Sequence, residues 1–71
     1  MYKFSGERLS QAALKSGLRN EHLALATDRS TRAIEFYRSG KREPNLSTGY
    51  ALARALGVDV ADLLEEVANV A

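Results

Sequence analysis

An all-α fold, a compact bundle of five helices, is what this chain predicts, and three observations predict it. Apolar residues recur three and four apart through five separate stretches. Residues that favour helix starts, namely Ser5, Asn20, Ser30, Asn45 and Asp59, stand at the heads of those stretches, and Gly17, Gly40 and Gly57 stand just past three of them. No run alternates apolar and polar residues strongly enough to read as a strand. The 71 residues suffice for one domain, 1–71, with 1–4 as an N-terminal arm and 69–71 as a frayed tail.

Ser5 caps a first helix that runs to about Ser16, with Leu9, Ala12, Ala13 and Leu14 as its apolar positions and Gly17 as its stop. In the arm before it, Tyr2 and Phe4 are the residues able to pack against the body. A second helix runs from about Asn20 to Thr27. Arg19 or Asn20 stands at its start, and Asn is chemically the better cap. Leu23, Ala24 and Ala26 form its inner side, and Leu25 falls outside. Asp28 comes where the chain must turn, and Asp tolerates left-handed backbone better than most residues with a side chain. Ser30 caps a third helix, Thr31 to Ser39, whose Ala33, Ile34 and Tyr37 face inward. Gly40 ends it, and Lys41 to Pro44 form a polar loop in which Pro44 keeps Glu43 extended. Asn45 caps a fourth helix, Leu46 to Leu56, with Leu46, Tyr50, Ala53 and Leu56 as one stripe and Leu52 beside it. Asp59 caps a fifth, with Asp62 near its positive end and Leu63, Leu64 and Val67 as its apolar face.

The net charge of +1 hides a division. Residues 1–43 carry nine Lys/Arg against five Asp/Glu, whereas residues 44–71 carry one Arg against four acids. The first part is therefore basic and the tail acidic, and a basic face attracts polyanions whatever the total. Asp59, Asp62, Glu65 and Glu66 read either as a helix start with a solvated face or as a surface that repels nucleic acid and so selects the docking side. The chain has no cysteine, which removes disulfides and thiolate metal sites and is compatible with any compartment. No run of 18 apolar residues exists, and MYKFSGERLS has no apolar signal core, so a soluble cytoplasmic protein with no membrane contact is expected.

The stretch from Leu18 to Pro44 carries the functional expectation. Two short helices joined by a tight turn, the second polar and cationic on its outer side, make a device for entering the major groove of DNA. The motifs LKSGL (14–18), LA (23–24), DRS (28–30), SGKREP (39–44) and LARALGV (52–58) resemble the phage repressor and Cro-type helix-turn-helix family over about residues 5–65. The resemblance implies a five-helix bundle whose second and third helices form the helix-turn-helix, and its length looks like that of a stand-alone Cro-like protein.

By position, the resemblance puts phosphate contacts at Asn20, with Arg19 beside it, and at Lys41 and Arg42 in the loop. It puts base contacts at Thr31 and Arg32 and, one turn later, at Glu35 and Phe36. The chemistry agrees. Arg32 can donate two parallel hydrogen bonds to guanine O6 and N7, and Thr31 offers a hydroxyl and a methyl. Phe36 can only meet a thymine methyl, and Glu35 either accepts from cytosine N4 or orients Arg32 or Arg38. Arg29, Ser30 and Arg38 join the expected phosphate ligands.

The chain departs from the family at several places. Asp28 stands where glycine is usual and Arg29 where an apolar residue is usual, which tips Arg29 outward. A helix-one arginine and a late helix-three glutamate, paired in many relatives, are here Ala13 and Arg38, so Arg38 is free for a phosphate or for Glu7. Gly49 replaces a usual leucine, which calls for a bulky neighbour, Tyr50 or Phe4, in its place.

The expected function is sequence-specific binding of double-stranded DNA by a Cro-like phage or prokaryotic repressor that occludes a promoter-proximal operator. A homodimer, formed in solution or only on DNA, would use helices four and five with Val67 and Val70. The rival is an antitoxin-like or anti-repressor module that meets a protein through Phe36 and Leu25. No enzyme is expected, because neither paired carboxylates, a nucleophile with its base, nor a glycine-rich phosphate loop can be found. No cofactor or metal is expected either. His22, the sole histidine, has no second ligand at i+4 and reads as a surface residue.

Overall fold

The computed structural model describes residues 1–68, so the tail 69–71, Val70 included, lies outside the described residues. Its elements are β1 (Tyr2–Phe4), α1 (Gly6–Ser16), α2 (Asn20–Thr27), α3 (Thr31–Ser39), α4 (Leu46–Leu56), a 3₁₀ turn (Val60–Leu63) and β2 (Leu64–Glu66). The four α-helices lie where the caps and stops place them. Ser5, Ser30 and Asn45 accept hydrogen bonds from the backbone N–H groups of Arg8, Ala33 and Thr48. Each relieves one of the donors a helix start leaves unpaired.

The expected five-helix bundle is corrected: the described residues form four α-helices and a small antiparallel sheet. The fifth helix stops after one 3₁₀ turn, and the arm is a strand. Tyr2 pairs with Glu66, Lys3 with Glu65 and Phe4 with Leu64. The pairing extends at both ends, where Val67 N–H donates to Met1 O at 2.8 Å and Ser5 N–H donates to Leu63 O at 2.8 Å. Lys3 Nζ lies 3.5 Å from Glu65 Oε1 across the ribbon. The tail residues 64–66 thus satisfy their backbone with a strand 60 residues away in sequence, and no local pattern announces such a partner.

One core joins the four helices and the 3₁₀ turn. Leu9 and Ala13 of α1, Leu23 and Ala24 of α2, Ile34 and Tyr37 of α3, Leu52, Ala53 and Leu56 of α4 and Leu63 of the 3₁₀ turn are buried together. Phe4, Leu18, Val58 and Val60 close its rim. Several expected core positions are instead at the surface: Leu14, Leu46 and Tyr50 are 83, 75 and 56 % exposed. The cause in α4 is a rotated stripe. Gly49, Leu52, Ala53 and Leu56 point inward at the i, i+3, i+4, i+7 spacing of one helix face. Gly49 is buried, and a Cβ there would meet Val60 Cγ2 at 3.9 Å. Val60 therefore fills the space expected for Tyr50 or Phe4. Ala26, placed on the inner side of α2, is exposed.

α3 packs against both α1 and α2, and α4 supports α2 from behind. At one point the packing is unusually close. A Cβ on Gly6 would stand 2.5 Å from Arg38 O and 2.6 Å from Tyr37 O, so the start of α1 abuts the carbonyl end of α3. The positive end of one helix meets the negative end of another.

Candidate nucleic-acid interface

The turn between α2 and α3 is built as its residues require. Asp28 takes φ 55° and ψ 42°, and its left-handed conformation reverses the chain. Arg29 N–H then donates to Ala24 O at 3.0 Å, and the Thr27 hydroxyl donates to Leu23 O at 2.7 Å. Ser30 starts α3 with Oγ accepting from Ala33 N–H.

Thr31, Arg32 and Glu35 are exposed on the outer side of α3, and Phe36 beside them is half-buried. Gly40, at φ 80°, ends the helix and turns the chain back over its last turn. The Phe36 carbonyl accepts from both Lys41 N–H (3.0 Å) and Arg42 N–H (3.3 Å). Lys41 and Arg42 thereby return to the level of Phe36. Arg32 Cζ, Arg42 Cζ and Lys41 Nζ stand 5.8, 5.9 and 6.0 Å from the centre of its ring. The Lys3–Glu65 pair is the sole ion pair among the described residues, so none of these three cations pairs with a carboxylate there. Glu35 makes no ion pair with Arg32 or Arg38, contrary to one of its two expected roles.

Arg38 is placed differently. It is half-buried, and its guanidinium donates from Nε to Ser10 Oγ (3.1 Å) and from Nη1 to Asn20 Oδ1 (2.8 Å). It thus ties α3 to α1 and to the first residue of α2, and the expected alternative of Glu7 is replaced by these two neutral partners. Arg19, not Asn20, occupies the cap position of α2, and its backbone N–H donates to His22 Nδ1 at 3.1 Å. Asn20 is left to hold Arg38, with its amide N–H₂ still a free kind of donor chemistry at the helix start. Arg29 is exposed, and its Nη2 reaches Thr48 Oγ1 on α4 at 3.4 Å.

The structure therefore gathers Arg32, Phe36, Lys41 and Arg42 into one cluster, and Arg38 and Asn20 into another. Ser10 and Thr48 are the supporting residues that sequence reasoning missed. Thr48 is buried within α4 and could have been noticed as a polar residue next to an apolar stripe. Ser10 carries no such signal, because its partner lies 28 positions away.

Comparison with known proteins bears on the fold and the family. No curated protein matches the sequence. Among solved structures, the restriction-modification controller protein C.AhdI from Aeromonas hydrophila is 28 % identical with a TM-score of 0.76, over 82 % of this chain and 88 % of that one. The P22 c2 repressor, solved in complex with synthetic operator 9T, is 28 % identical with a TM-score of 0.78, over 86 % of this chain and 92 % of that one. A transcriptional regulator from Listeria innocua is 26 % identical with a TM-score of 0.79, over 96 % of this chain and 64 % of that one. The profile of a helix-turn-helix family (HTH_3) matches residues 9–63, from the first core leucine of α1 to the last of the 3₁₀ turn. With its α2–turn–α3 unit and that match over most of its length, the chain belongs to the helix-turn-helix family of phage repressor and Cro type.

Proposed function

We propose that this protein represses transcription by laying α3 in the major groove of a promoter-proximal operator and so occluding it. The broader statement, that it is a DNA-binding transcriptional regulator, follows from its family. One observation carries the finer one: the outer row of α3 runs directly into a loop whose cations have no carboxylate partner among the described residues. Thr31, Arg32 and Glu35 face base edges, with Arg32 reading guanine and Phe36 beside them on the same side of α3. Arg19, Asn20, Arg29, Ser30, Lys41 and Arg42 hold phosphates on either side, and Arg38 adds its charge from behind Asn20.

The protein binds as a pair of copies across a two-fold operator, with half-sites about one helical turn apart. The exposed side of α4 suits the contact. Tyr50, Ala51 and Ala55 of α4 and Val58 just after it form an apolar patch there, with Arg54 and Asp59 among them to pair with the opposite charges of a second copy. No helix among the described residues is long and apolar enough to cross a membrane. The site of action is the cytoplasm of a prokaryotic or phage-infected cell, and no catalytic step belongs to it.

Selection of bound sequences from a random duplex pool tests the proposal: a palindromic consensus is expected. Arg32→Ala should lose preference for that consensus over random DNA, by about tenfold or more for a bidentate guanine contact. Retained preference refutes the role of Arg32. An affinity indifferent to salt refutes the phosphate contacts and favours the protein-interaction module instead.

A further inference from the structure

We propose that Phe36 is a positioning residue whose ring gathers Arg32, Lys41 and Arg42 into one cationic unit, coupling the helix that reads bases to the loop that holds phosphates. The inference rests on the DNA-binding function proposed above and names a device within that site.

Phe36 lies on the outer side of α3 yet is half-buried, and it is not among the partly buried residues packed on the core. Its cover is local. Arg32 stands one helical turn before it, on the same face at i, i+4 spacing. Lys41 and Arg42 come from the other end, brought back by their hydrogen bonds to the Phe36 carbonyl. One residue thus anchors the loop twice, with its backbone oxygen and with its ring.

Three cations around a single ring repel one another. The negative face of an aromatic quadrupole offsets part of that repulsion, and no carboxylate of the described residues ion-pairs with any of them. The remaining excess of positive charge is relieved when phosphates arrive. Long cationic side chains otherwise lose considerable rotamer freedom on docking. A ring that holds their charged ends beforehand reduces that loss for all three at once. Such a unit strengthens binding to any duplex and leaves the choice of base to Thr31, Arg32 and Glu35.

The test has two arms. In the free protein, NMR should show the Arg32 and Arg42 Hδ and Lys41 Hε signals shifted upfield by the ring, with the shifts lost in Phe36→Leu and retained in Phe36→Trp. In binding assays, Phe36→Leu should weaken affinity for the selected operator and for random duplex by the same factor, about threefold to tenfold. Phe36→Trp should restore most of it, whereas a merely packed side chain would show no such rescue by an aromatic. Unshifted signals in the wild-type protein overturn the proposal. So does undiminished affinity in Phe36→Leu, or a loss confined to one thymine and abolished by deoxyuridine there. Shifted signals in a wild-type protein with no affinity for any duplex overturn the DNA-binding function itself, with the ring cluster still in place.

Discussion

Replacing Gly6 by alanine should be among the most damaging single-methyl additions in this chain. The added Cβ would lie 2.5 Å from Arg38 O, 2.6 Å from Tyr37 O and 2.9 Å from Arg38 C, all under the 3.0 Å that Cβ atoms keep from other heavy atoms. The obstacles are backbone, so no side-chain rotation relieves them. α1 must move from α3 by at least about 0.5 Å along that line. Such a shift loosens Leu9 and Ala13 of α1 from Ile34 and Tyr37 of α3 in the shared core. Overpacking of this kind costs about 1–3 kcal/mol, and the loosened contacts place the estimate at about 2–3 kcal/mol. For a domain of this size that corresponds to a fall in melting temperature of about 8–24 °C, against a total stability of roughly 4–10 kcal/mol. Thermal unfolding followed by circular dichroism measures it. A Gly6→Ala protein that melts at or above the wild-type temperature would refute the close packing of α1 on the end of α3.

Gly49→Ala should do the opposite: its Cβ meets only Val60 Cγ2 at 3.9 Å, so the helix gains about 0.5–1 kcal/mol and the same melting experiment should show a rise of about 2–8 °C. Asp28, at φ 55°, should accept glycine with little change but lose about 1–2 kcal/mol on Asp28→Val, read from denaturant midpoints at unchanged slope. Arg38→Ala should lower stability by about 1–2 kcal/mol through its bonds to Ser10 and Asn20, in the absence of any DNA; an unchanged midpoint would assign Arg38 to phosphate contact alone.

The helix-turn-helix unit was legible because its signals are local. Ser30 caps within three residues, Asp28 bends the chain where it stands, and Gly40 closes the helix it follows. Ile34 and Tyr37 point inward by helical spacing alone. The outer row of α3 follows by subtraction, which is why Thr31, Arg32 and Glu35 are exposed as expected. The buried stripe of α4 is rotated from the one its apolar residues predict: Leu46 and Tyr50 are apolar but lie off the buried face, while Thr48 and Gly49 lie on it. Hydrophobicity named the helix there, but the neighbour, Val60, chose the face.

Cap residues, glycine stops and the division of charge act over a few positions, so they set the four helices, the turn and the basic loop without knowledge of the rest of the molecule. Pairing of Tyr2–Phe4 with Leu64–Glu66, the reach of Arg38 to Ser10 and Asn20, and the close seat of Gly6 on α3 join residues distant in sequence. Their free energy exists only once the core has brought those residues together. For that reason the folded chain alone determined that its last described element is a strand, and that Phe36 stands among three cations.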